Sequence, residues 1–209
     1  MDKKTEINRE RISTGSYDLN KWLFGGYERN IITMIAGPAG IGKTNFCILA
    51  AVSQAKKGNK VIFIDTEGGF SVERVKQLLF GDKEDLEKVL GNIFLMEPTG
   101  FEDQKKDFSR ILDKIKKEKI NLIIVDGIAM LYRLELGDAS KLKSDDKVKG
   151  VNRELAQQMK VLSEIARKHN ISVIVTNQVY QDFLSEEDIK KGIKRGVNIV
   201  GGDLLKYWC

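Results

Sequence analysis

The eight residues GPAGIGKT, Gly37 to Thr44, fit the pattern G-x-x-x-x-G-K-[ST] in full. They follow an apolar run of strand length, IITMIA (31–36), and open a helix, which is the setting that pattern needs. Glycines there let successive backbone N–H groups wrap phosphate oxygens, and the N-terminus of the helix favours negative charge. The cradle is expected to comprise Gly37, Pro38, Ala39, Gly40, Ile41, Gly42, Lys43, Thr44 and Asn45. Lys43 would reach the β- and γ-phosphates and the Thr44 hydroxyl would ligate magnesium. The expected cofactors are ATP and Mg2+.

A phosphate loop of this kind needs a second magnesium anchor, usually an aspartate that ends a neighbouring apolar strand. Two aspartates qualify, Asp65 in VIFIDTEGGF (61–70) and Asp126 in NLIIVDG (121–127). Asp126 ends the longer aliphatic run and precedes a small residue, which makes it the better anchor and leaves Asp65 and Glu67 for another task. Hydrolysis requires a water to be oriented and its proton accepted, and a carboxylate near the γ-phosphate does both. Glu67, two residues past a strand tip, is the candidate. TNQ (176–178) places Asn177 and Gln178 after a fifth apolar run, at the strand end where open α/β sheets bind ligands. A neutral amide there can hydrogen-bond the γ-phosphate; a plain polar strand end is the alternative.

These residues need a scaffold, and the apolar runs supply it. IITMIA (31–36), VIFID (61–65), NIFLM (92–96), NLIIVD (121–126) and ISVIVT (171–176) have strand length. Several are continuous rather than alternating, as expected where both faces of a parallel sheet are covered. Between them, Phe108, Ile111, Leu112 and Ile115 form a helical stripe after TGFE (99–102), a capping-box pattern. Leu155, Met159, Leu162 and Ala166 form another, ending near His169, the sole histidine, which at a helix C-terminus suits a cap or dipole partner. Strand–helix alternation of this kind predicts an α/β fold.

The 209 residues, 42% apolar and 31% charged, suit one globular core. No apolar run reaches membrane-span length and the N-terminus has no secretory h-region, so a cytoplasmic protein is expected. Cys47 and Cys209 make no metal or redox spacing, and Cys47 lies in an apolar stretch that suits the core. The net charge is +5, and residues 139–195 carry 12 Lys or Arg against 8 Asp or Glu. The excess lies in KLKSDDKVKGVNR and KKGIKR; mobile basic loops there suit a phosphate backbone, and a solvated charged surface is the equal alternative.

Taken in order, STGSYDLNKWLFGGYERNIITMIAGPAGIGKT, DTEGGFSVERV, LIIVDGIAMLYR and VIVTNQV resemble the RecA-type recombinase superfamily in its archaeal and eukaryotic branch, over roughly residues 12–205. The resemblance implies a RecA-like P-loop ATPase core with a mostly parallel central sheet flanked by helices. It implies that Glu67 activates the hydrolytic water, that Asp126 is the second magnesium residue, and that Gln178 relays nucleotide state to a DNA-binding loop. Residues of about 135–153 correspond to the first such loop and Val179 to about Asn198 to the second. Arg153, Lys191, Lys194 and Arg195 are the expected phosphate contacts, while Tyr180 and Phe183 either stack on bases or pack beneath their loop.

Departures from that branch narrow the expectation. MDKKTEINRERIS has no aromatic residue with which to dock on a next subunit, and GGDLLKYW places Asp203 where a histidine is usual. Residues 1–11 read as a tail with no separate N-terminal DNA-binding domain, and the C-terminal end at Cys209 reads as truncated, so 1–209 is expected to be a single core. This pattern is most similar to the RadB paralogues. It implies a DNA repair and recombination protein that binds ATP and DNA, hydrolyses ATP weakly and assists the main recombinase and other recombination proteins near the nucleoid, with a homodimer as a further option. A strand-exchange recombinase, a KaiC-like signalling ATPase and a structural partner that uses ATP only to fix an interface are the alternatives. A single glutamate in DTEGG and the TNQV strand both count against the KaiC-like one.

Overall fold

The computed structural model describes residues 10–181 and 196–209. Its centre is a six-stranded sheet built from β3 (Ile32–Gly37), β4 (Lys60–Asp65), β5 (Ile93–Met96), β6 (Ile120–Asp126), β7 (Ser172–Gln181) and β8 (Val197–Ile199). The order is β3-β7-β6-β4-β5, all parallel, and β8 adds antiparallel to β7. A small antiparallel pair, β1 (Arg11–Ile12) with β2 (Tyr27–Glu28), brackets α1 (Tyr17–Trp22).

Period-2 geometry divides the apolar strands between two cores. Ile62, Ile64, Ile123, Val125, Val173 and Val175 face one side, where α5 (Phe101–Lys117) and α7 (Asp145–His169) cover them. Val61, Phe63, Leu122, Ile124 and Ile174 face the other, against α2 (Lys43–Lys56), α3 (Val72–Leu78) and α4 (Lys83–Leu90). Because both faces are covered, the strands read as unbroken hydrophobic runs. The small side chains Cys47, Ala50, Ala51 and Ala55 are fully buried and let α2 lie close on the sheet. Cys47 is thus a core residue, as its surroundings in the sequence suggest.

Four local expectations change. First, α5 begins at Phe101 with Gly100 as its N-cap, so TGFE does not form a capping box; the Thr99 hydroxyl instead donates to Asp103 Oδ2 at 3.2 Å. Second, Leu112 leaves the expected stripe: it is 40% exposed, whereas Phe108 and Ile111 are 4% and 0%. Third, the 135–153 segment is not a loop. α6 (Met130–Lys141) runs into α7 through a turn of three residues. Lys143 takes the left-handed conformation there, and the Ser144 side chain accepts from the Lys147 N–H. Asp145 and Asp146 in the first turn complement the helix N-terminus and help α7 start early. Fourth, β7 runs to Gln181 because β8 returns beside Val179–Gln181, so Asn177 and Gln178 lie inside a strand and not after one. α7 ends at His169 with Asn170 as a left-handed C-cap. The last helix, α8 (Asp203–Lys206), contains Asp203.

Candidate functional site

Parallel pairing aligns the C-terminal ends of four strands. Gly37 of β3 stands opposite Gln178 of β7, and Asp65 of β4 opposite Asp126 of β6. The phosphate-loop, Asp65, Asp126 and Gln178 motifs therefore reach one edge of the sheet. The turn from β3 to α2 carries Gly40 at φ +77 and Gly42 at φ +91, a conformation that L side chains rarely adopt. Gly42 is also the N-cap of α2 and supplies no side-chain acceptor, so the first N–H groups of that helix face the turn without a side-chain cap. This is the donor arrangement that suits an anion. Pro38, Ala39, Gly40 and Ile41 form the exposed rim, and Thr44 is half-buried.

Lys43 is 7% exposed, and its ammonium donates to the carbonyls of Gly37 (3.1 Å) and Pro38 (2.9 Å). The cation is thus folded onto its own loop and held ready beside the rim. Asn45, counted with the cradle in the sequence, turns elsewhere: its Oδ1 accepts from Arg74 Nε at 3.1 Å, tying α2 to α3.

The two aspartates separate cleanly. Both oxygens of Asp65 are taken by backbone donors of its own loop, Oδ1 by Glu67 N–H (3.1 Å) and Oδ2 by Phe70 N–H (2.7 Å). Asp65 therefore folds the turn that presents Glu67. Gly68 at φ +69 lets that turn reverse, while Gly69 has no left-handed φ and packs tightly on Thr44, whose side chain would lie 3.0 Å from a Cβ there. Asp126 is 1% exposed; its Oδ1 accepts from the Thr176 hydroxyl at 2.6 Å, and its Oδ2 is buried with no hydrogen-bond partner among the described residues. Burial raises the Asp126 carboxyl above the usual range, and Asp65 adds to this; the Thr176 and Thr44 hydroxyls and the Lys43 ammonium pull the other way.

An unpartnered buried carboxylate oxygen beside Thr44 is a donor set that fits magnesium. This small hard cation is commonly held by one or two protein oxygens and completed by phosphates and water. No group of three or more His, Cys, Asp or Glu side chains that could hold a metal ion occurs among the described residues.

Glu67 and Gln178 meet: Gln178 Nε2 donates to Glu67 Oε1 at 3.3 Å. Both line a small cavity with Gly127, Arg133, Asn177 and Val200. Asn177 lines it too, but the polar groups of its side chain are engaged within the protein. Its amide donates to Val200 O (2.8 Å) and its Oδ1 accepts the Gln178 N–H (2.9 Å), so its polar groups fasten the segment after β8 to β7. Arg153 is exposed on α7, and Tyr180 is half exposed near the end of β7. Lys191, Lys194, Arg195 and Phe183 lie outside the described residues.

Three residues that the motifs did not single out complete the arrangement. The Thr66 hydroxyl lies 2.9 Å from both the Asp126 and Gly127 carbonyls. Gly127, at φ +89, must lack a side chain, because a Cβ would lie 2.5 Å from Thr66 Oγ1 and 2.8 Å from Glu67 Cγ. Thr176 accepts the Gly127 N–H at 2.7 Å while donating to Asp126. Only the D-T-E and V-T-N neighbourhoods hinted at the two threonines, and a threonine in a strand carries no signal of its own.

The family model described as Rad51 matches residues 5–207. A protein of Methanosphaera stadtmanae is 35% identical over 209 residues, covering 100% of this chain and 82% of that protein. One of Methanobrevibacter smithii is 37% identical over 203 residues (96% and 79%), and one of Methanococcus maripaludis strain C7 is 40% identical over 190 residues (91% and 78%). All three are named DNA repair and recombination protein RadB. The chain belongs to the Rad51 family and groups with its RadB members. Its mostly parallel, helix-flanked sheet is the RecA-like core of that family, and membership implies a nucleotide-binding protein. No helix among the described residues is long and apolar enough to cross a membrane.

Proposed function

We propose that this chain is a DNA repair and homologous recombination protein of RadB type. It binds ATP with Mg2+, binds DNA, hydrolyses ATP slowly, and assists the main recombinase in the cytoplasm at the nucleoid. The whole of 1–209 acts as one ATPase core in this reading. The observation that carries it is the meeting of Lys43, Asp126, Glu67 and Gln178 at one sheet edge, in a chain whose named relatives are recombination proteins.

In this reading the backbone N–H groups of the Gly37–Asn45 loop other than Pro38, which has none, cradle the phosphates, and Lys43 leaves the Gly37 and Pro38 carbonyls to meet the β- and γ-oxygens. Thr44 and Asp126 hold Mg2+, which neutralises phosphate charge when bound. Glu67 orients the attacking water and takes its proton. Gln178 exchanges its bond to Glu67 for one to the γ-phosphate, and because its own N–H is held by Asn177, which also holds Val200, the exchange reaches the segment that follows the second DNA-binding stretch. Arg153, Lys191, Lys194 and Arg195 contact DNA phosphates.

ATP turnover measured with and without single-stranded DNA tests the reading. Slow turnover that DNA barely changes, with DNA binding intact, supports a paralogue that uses ATP as a conformational ligand. Strong stimulation by DNA replaces that role with a strand-exchange recombinase, and failure to bind ATP or DNA ends it.

A further inference from the structure

The geometry points to Thr176 as a positioning residue that fixes the magnesium-binding carboxylate of Asp126 through its hydroxyl. The inference rests on the reading of Asp126 as a magnesium anchor. Thr176 is wholly buried in β7, beside β6. Its Oγ1 accepts the Gly127 N–H at 2.7 Å, which directs the hydroxyl proton away from that amide. The proton goes to Asp126 Oδ1 at 2.6 Å. One oxygen of the carboxylate is thereby committed to the protein, and Oδ2 is left as the buried, unpartnered acceptor. The Ile128 N–H donates to the Thr176 carbonyl at 3.1 Å, so three consecutive residues from Asp126 are registered on this single threonine.

From the opposite side, Thr66 holds the Asp126 and Gly127 carbonyls. The main chain at the end of β6 is thus clasped between β7 and the loop after β4, and of these two threonines Thr176 is the one hydrogen-bonded to the carboxylate. Side chains alternate along a strand, so Thr176 and Gln178 share one face of β7. That face offers one rung to Asp126 and the next to Glu67. Orientation of a metal ligand by an outer hydrogen bond commonly governs metal affinity more than fold stability.

The test is Mg2+ dependence of binding, read with a fluorescent ATP analogue and needing no turnover. Thr176→Val keeps the shape and removes the hydroxyl. Its half-saturating Mg2+ concentration for nucleotide binding rises roughly 10–100-fold, while Thr176→Ser restores the wild-type value. Should the valine variant fail to fold, as judged by its circular dichroism melt, Thr176→Ala carries the same comparison against serine. A Thr176→Val (or Ala) protein that is folded and has unchanged Mg2+ dependence overturns the inference and leaves the nucleotide site standing. Wild-type protein whose nucleotide binding ignores Mg2+ removes the magnesium reading of Asp126, and the inference falls with it.

Discussion

Gln178 and Glu67, 111 residues apart in the chain, are joined by a 3.3 Å hydrogen bond from Nε2 to Oε1. Gln178 comes from β7 and Glu67 from the loop after β4, and β6 lies between those two strands. The bond passes over the end of β6 at Gly127, where a Cβ would lie 2.9 Å from Glu67 Oε1. A neutral amide thus holds the candidate base while its partner strand also fastens Val200. Base and relay are one physical unit, and this gives the first expectation.

Glu67→Gln removes the proton acceptor but keeps the shape and a hydrogen-bonding partner for Gln178. ATP affinity should stay near wild type while turnover falls roughly 10²–10⁴-fold, the usual contribution of a general base. Equilibrium binding and single-turnover hydrolysis measured side by side check this, and normal turnover in the variant refutes the assignment.

Alanine at Lys191, Lys194 and Arg195 together should weaken DNA binding and flatten its dependence on salt. Each lost phosphate contact removes about 0.7–0.9 from the log–log slope, so the triple variant should lose about 2–3. Arg153→Ala, on the exposed side of α7, should lose about 1 by the same reasoning. Fluorescence anisotropy titrations over a salt series decide, and an unaltered slope moves the DNA contacts elsewhere.

The two neighbours Ile111 and Leu112 should respond differently to truncation. Ile111 is fully buried in the core under α5, so Ile111→Ala should destabilise by about 2–5 kcal/mol. Leu112 is 40% exposed, and Leu112→Ala should change stability by less than about 1 kcal/mol. Urea denaturation of both variants measures the difference; equal losses contradict the observed helix face.

Alkaline pH should expose the burial of Tyr27. Burial, with a smaller contribution from Cys47, pushes its phenol up to about 12 from 10.0. The unfolded chain therefore releases this proton first. The stabilisation is complete below pH 10 and is lost as pH climbs towards 12, amounting to roughly 3 kcal/mol for a two-unit shift. Tyr27→Phe should lose less stability than wild type over the same interval. Denaturation midpoints for the two proteins at pH 9.5 and 11.5 make the comparison.

Much of this was legible in the chain itself. The five apolar runs announced the parallel strands, most clearly β4, β6 and β7, where burial on both faces leaves no polar alternation to confuse them. GPAGIGKT announced the phosphate cradle because its chemistry is local: glycines, a helix start and a lysine within eight residues. Motifs that bind through contiguous backbone can be read along the chain.

What remained hidden depends on partners distant in sequence. Asp65 and Asp126 both close apolar strands, and the sequence favoured Asp126 as the anchor only by its longer aliphatic run and the small residue after it. Only the fold showed that Asp65 spends both oxygens on its own loop while Asp126 keeps one free. The basic stretch read as a loop became α6 and α7, because propensity and an N-cap outweigh charge repulsion once the helix has a core to cover. Residue type alone did not separate Asn177 from Gln178, and only the resemblance singled out Gln178; period-2 geometry sent one to Val200 and the other to Glu67. The sequence by itself determined the five parallel strands and where phosphate chemistry is encoded, but not β1, β2 or β8. Strand order and register decided which side chains meet, since a hydrogen bond across three strands is set by tertiary packing alone.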